Sequence, residues 1–108
     1  MPVEDRRIIF APDEVYNALY ALSVQKGKTT PPPGAVRLVS VNKNNPAEVI
    51  IKLEDIGRQR EETVEYSRDF LAASLMVFCR GAGIPLPKSA KKSVMINDGK
   101  VILRVEIG

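Results

Sequence analysis

The most concentrated chemistry in this 108-residue chain is positive charge. Arg80, Lys88, Lys91 and Lys92 follow one another with no acid before Asp98. Gly83, Pro85 and Pro87 lie among them and restrict the backbone, so the four cations could form a defined patch for phosphates or another acidic partner. A solvated basic surface is the plainer reading. Proteins that grip single strands also offer exposed rings for bases to stack on. The two aromatics expected near strands, Phe10 and Tyr66, occupy positions that look like core.

Three other groups carry chemistry in principle. Gly27-Lys28-Thr29 resembles the end of a phosphate-binding loop, but position 22 is Leu where that loop needs Gly. The motif also closes a helix rather than opening one, so backbone N–H groups do not converge on an anion. A helix stop is the expected role. Cys79, the one cysteine, falls near the C-terminal end of a helix, where the dipole opposes a thiolate. It reads as a buried structural thiol. Glu54-Asp55 and Glu61-Glu62 bracket a turn and could do acid–base work or hold a hard cation. Lys52, Arg58 and Arg60 are mixed with them, which favours screened surface pairs.

The chain has no histidine, so a Ser–His–Asp triad, a Cys–His pair and a His-ligated zinc site are excluded. No catalytic constellation, metal or cofactor is expected. A single cysteine makes no internal disulfide, which favours a reducing cytoplasm. Met1–Arg7 is short and charged, without the apolar run of a signal peptide, and Phe70–Cys79 is too short to span a bilayer. The net charge of +3 permits an acidic partner. Its surplus lies in residues 80–108, where Arg80, Lys88, Lys91, Lys92, Lys100 and Arg104 face only Asp98 and Glu106.

The elements that must position these residues read as a duplication. At an offset of 56, Ile8 meets Val64, Phe10 meets Tyr66, Val15 meets Leu71, Leu19 meets Leu75 and Leu22 meets Phe78. Gly27 meets Gly83 and Pro31 meets Pro87. At an offset of 52, Val49–Glu54 falls on Val101–Glu106. The change of offset is a short difference in loop length, which costs little.

In the first half Arg7–Phe10 is a strand, and Pro12, Asp13 and Glu14 open a helix. Val15, Ala18, Leu19 and Leu22 form its apolar face and Gly27 stops it. Ala35–Val41 and Ala47–Glu54 are strands joined by the turn Asn42–Pro46. In the second half Glu62–Tyr66 is a strand, Ser67 caps a helix, and Leu71, Ser74, Leu75 and Phe78 are its core face. Gly81 and Gly83 end that helix. Ser93–Ile96 and Lys100–Ile107 flank Asn97-Asp98-Gly99, a strong hairpin signal. In the last strand the Val101, Leu103, Val105, Ile107 face is buried and the Lys100, Arg104, Glu106 face mostly wet. Asp55–Arg58 is a turn that sets the third strand antiparallel to the fourth.

The stretch Phe70–Lys92, with its apolar helix, Cys79-Arg80, Ile84-Pro85-Leu86-Pro87 and Lys91-Lys92, resembles a group of small conserved bacterial proteins of unassigned function. The resemblance covers about a fifth of the chain. It implies a bacterial, cytoplasmic setting and brings no activity or site residues.

The second helix is apolar all round, because Phe70, Ala73, Met76 and Val77 surround the core face. Tyr16, Tyr20 and Val24 do the same more mildly for the first. Either the helices pack on each other over the sheet, or Tyr16, Tyr20, Met76 and Val77 form an interface with a protein partner or a second copy.

The expected fold is a single α+β domain over residues 1–108, with repeats at about 7–54 and 63–106. It has six mostly antiparallel strands and two helices related by a pseudo-two-fold, as one sheet or a closed barrel. The expected function is a non-enzymatic protein-interaction module. The alternatives are a nucleic-acid-binding module using residues 80–92 and a small enzyme using carboxylate, lysine or tyrosine.

Overall fold

The computed structural model describes residues 3–107. Strand β1 is Glu4–Phe10, helix α1 Pro12–Gln25, β2 Ala35–Val41 and β3 Glu48–Asp55. Then follow β4 Arg60–Ser67, α2 Arg68–Gly81, β5 Lys91–Asn97 and β6 Lys100–Ile107. The fold is α+β, and the order strand–helix–strand–strand occurs twice. β1 begins three residues earlier than the apolar run suggests, because Glu4–Arg6 are charged yet continue the antiparallel pairing with β6.

The helix ends use the local signals. Pro12 is the first helical residue of α1. Ala11 has no side-chain oxygen to cap with, and its own N–H is taken up by Glu14 Oε1 at 2.8 Å. In α2 the Ser67 hydroxyl accepts from Phe70 N–H at 3.0 Å. Both helices stop in the same way. Lys28 N–H donates to Ser23 O at 2.9 Å and Ile84 N–H to Cys79 O at 2.8 Å. Gly27 and Gly83 supply the left-handed residue each stop requires, at φ of 65° and 75°.

Two three-stranded antiparallel sheets form, in the orders β1-β6-β5 and β2-β3-β4. The question of one sheet or a closed barrel is therefore resolved as two sheets. Each takes two strands from one half of the chain and one from the other. β1 leaves its own half to pair with β6, while β4 pairs back onto β3 through the Ile56–Gln59 turn. The facing edges β2 and β5 touch without joining. The outer edges, β1 and β4, carry Glu4, Asp5, Arg6 and Arg7, and Arg60, Glu61, Glu62 and Glu65, charges that discourage a further strand from adding.

The helices pack on each other, α1 also over β2 and α2 over β4 and β5. Their buried residues are Val15, Ala18, Leu19, Leu22 and Ser23 on α1, and Leu71, Ser74, Leu75 and Cys79 on α2. The small side chains Ala18, Ser23, Ser74 and Cys79 allow close approach. Ser23 Oγ and Ser74 Oγ satisfy themselves on the carbonyls of Leu19 and Phe70, at 2.7 and 2.8 Å.

Phe78 was expected on the α2 core face, but the fully buried position is Cys79. Phe78 is half-buried and meets Phe10 edge-on, with ring centroids 5.9 Å apart.

The core draws on both halves as one cluster, centred on Val49, Ile51 and Leu53 of β3 and Val101, Leu103 and Val105 of β6. These are the middle strands of the two sheets, so they lose the most water. In β2, Val36 and Val39 both point inward despite their odd spacing. A register shift between Val36 and Leu38 absorbs the extra residue. The outer face of β6 is less wet than its charges suggest. Ile102 is 7% exposed, flanked in register by Ile9 and Met95, so two apolar neighbours cover it.

Candidate anionic-partner cleft

The four basic residues come from three consecutive segments. Arg80 ends α2, where a cation complements the negative end of the helix dipole. The chain then turns at Gly83 and runs back through Ile84–Pro87. A turn closed by Ala90 N–H on Pro87 O at 3.1 Å brings it into β5. Ala90 is buried and anchors that turn, leaving Lys88 exposed beside it. β5 starts at Lys91, so side chains alternate from there. Lys92 shares its face with the buried Val94, while Lys91 points the other way, across from Glu106.

A cleft of about 410 Å³ results, lined by Met76, Arg80, Leu86, Lys88 and Lys92. Three of the four expected cations converge, and Lys91 is excluded by the strand's pleat. Among the described residues none of the three converging cations takes part in an ion pair. Met76 and Leu86 make the apolar part of the wall. Sequence reasoning placed Met76 on a helix interface and did not connect Leu86 with the site. The signal for Met76 was its position one helical turn before Arg80.

Tyr16, Met76 and Val77 are half-buried and only Tyr20, at 45%, is exposed. The Tyr16 and Tyr20 rings lie 6.2 Å apart. Burial, and then Tyr20, raises the Tyr16 phenol above its ordinary pKa, so it stays protonated. The two helices pack on each other, while Tyr20 and Val24 of α1 stay exposed.

Several of the other chemically capable groups have partners within the fold. Lys28 of the Gly-Lys-Thr sequence holds its ammonium 5.0 Å from the centre of the Phe70 ring, which in turn stacks on Tyr66 at 5.5 Å. Cys79 is fully buried, and burial followed by the nearby Glu14 pushes its thiol pKa up, away from reactivity. Glu54 accepts from Arg37 Nε at 2.7 Å, and Asp55 lies 3.8 Å from Arg58. No group of acids or cysteine among the described residues is arranged to hold a metal ion. No described helix is long and apolar enough to cross a membrane.

A wider groove of about 560 Å³ lies between the start of α1 and the start of β2, lined by Pro12, Tyr16, Gly34 and Val36. Sequence reasoning missed it. Gly34 in its lining lies tight against β3, where a Cβ would come within 3.3 Å of the Glu54 backbone. Asp13 is its only ionisable group besides the Tyr16 phenol, so it offers little to orient a ligand.

Compared with known proteins, the chain matches no family model, no curated protein and no solved structure.

Proposed function

We propose that this protein is a non-enzymatic interaction module that holds an acidic partner at the Arg80–Lys88–Lys92 cleft. One observation carries the reading: three cations from α2, the following loop and β5 line one cleft that has no acid in its lining, and none of them forms an ion pair among the described residues. Like charges held together repel, and an incoming anion relieves that repulsion while gaining attraction to all three. The partner is another protein or a second copy of this chain. Nucleic acid is the weaker alternative. Lys91 lies outside the cleft and no ring lines it, so a strand would find neither a continuous track nor a stacking platform. A bacterial cytoplasmic setting accords with the lone buried thiol and the Phe70–Lys92 resemblance.

The same reading takes the two strand–helix–strand–strand units as copies of one ancestral unit. Its support is the offset of 56, which relates Ala18 to Ser74, Ser23 to Cys79 and Gly27 to Gly83, all at matching burial or backbone positions.

Fluorescence anisotropy with labelled polyglutamate tests the function. Binding should weaken with salt and be lost in the Arg80→Ala/Lys88→Ala/Lys92→Ala variant, while Lys91→Ala leaves it intact. Unchanged binding in the triple variant would clear the cleft of this role.

A further inference from the structure

The cleft is not lined by charge alone. Met76 reaches it from α2 and Leu86 from the Pro85–Pro87 turn, between and beside the three cations. A surface evolved only to attract polyanions gains nothing from an apolar floor, since water and phosphate both avoid it. Apolar wall plus cationic rim is the complement of an apolar side chain flanked by carboxylates. Methionine suits such a role because its unbranched thioether adapts to different side chains. The lysine stems add further apolar length while their ammonium groups stay in water.

We infer that the occupant is an acidic peptide segment that inserts one apolar side chain between Met76 and Leu86, with its flanking carboxylates on Arg80, Lys88 and Lys92. This rests on the anionic-partner reading and narrows it to one class of partner. The cleft lies at the lower end of the range for small bound groups, roughly 300–1,000 Å³. That admits one large side chain and its neighbours, not a run of nucleotides. The cations are long and flexible, so they suit carboxylates that arrive along a chain in variable geometry better than a single rigid phosphate.

Three labelled probes of equal charge test the inference on the intact protein. They are acetyl-Glu-Glu-Leu-Glu-Glu-amide, the same peptide with Ala for Leu, and a short thymidine oligonucleotide. The leucine peptide should bind roughly tenfold more tightly than the alanine peptide, the difference one buried apolar side chain makes. Leu86→Ala should remove most of that preference and leave the salt dependence in place. Equal affinity for the two peptides, or tighter binding of the oligonucleotide, overturns the peptide assignment and leaves the anionic cleft standing. If none of the probes binds at low salt, the anionic-partner reading itself fails and this inference goes with it. The comparison of peptides needs no protein variant, so a misfolded Leu86→Ala does not remove the test.

Discussion

Arg104 and Asp5 are 99 residues apart in the chain and joined side by side across β6 and β1. Arg104 Nη2 donates to Asp5 Oδ2 at 2.9 Å, and Nε donates to Oδ1 at 3.1 Å. A second acid, Glu106, lies 3.5 Å from Arg104 Nη1. The pair clasps the first strand to the last, the one pairing in this fold with no local connection behind it.

Because Arg104 hydrogen-bonds Asp5, the carboxyl is held below its ordinary pKa, and Arg37 does the same to Glu54. A depressed folded pKa means stability that is fully present above the unfolded value and lost as pH falls through the folded one. The melting midpoint should therefore decline as pH drops below about 4. Asp5→Asn should lower it at neutral pH, and its difference from the parent should vanish in acid. Both groups are exposed, so the effect is small. A difference that persists undiminished at low pH would mean that charge is not what the pair contributes.

Leu75 is fully buried in α2 at the centre of the shared core. Leu75→Ala should cost about 2–5 kcal/mol of stability in urea denaturation, from lost transfer energy and the cavity left behind. Val24 on α1 is 59% exposed, and Val24→Ser should change stability by no more than about 0.5 kcal/mol. Comparable losses at the two sites would contradict the helix faces described.

Met76 offers a test of both helix packing and the cleft. Met76→Asp puts a carboxylate among Arg80, Lys88 and Lys92. The protein should lose about 1–2 kcal/mol and stay folded, with a midpoint independent of protein concentration. Polyglutamate binding should fall, since the cleft then carries its own anion. A wild-type midpoint that rises with concentration, and a variant that sediments as a smaller species, would instead show that a second copy covers this face.

If the two units are copies of one, the chain cut after residue 57 carries β1, α1, β2 and β3, and its β1 has lost its partner β6. The position equivalent to β6 is β3. Two such fragments should therefore pair, each β1 on the other's β3, and sediment as a dimer with mixed helix and strand content. A fragment that remains monomeric would count against the duplication.

The sequence by itself determined the local structure. Pro12, Ser67, Gly27 and Gly83 set the helix limits through rules that act over one turn. The Asp98–Gly99 hairpin follows from two residues that tolerate left-handed backbone, at φ of 52° and 76°. Val101, Leu103 and Val105 announced their buried face through a period of two. Only the tertiary structure decided which strands pair. β1 has the same alternation whether it lies on β3 or β6, and pairing across 99 residues leaves no mark on local periodicity. It likewise decided the composition of the cleft. With the strand expected to begin at Ser93, Lys91 and Lys92 were loop residues without assigned faces. β5 begins at Lys91 because Lys91 and Lys92 already pair with Glu106 and Val105 of β6. The pleat then sends the two lysines to opposite sides. Met76 and Leu86 join Lys92 only because α2 lies over β5, an arrangement fixed by packing between elements rather than by the residues of either one.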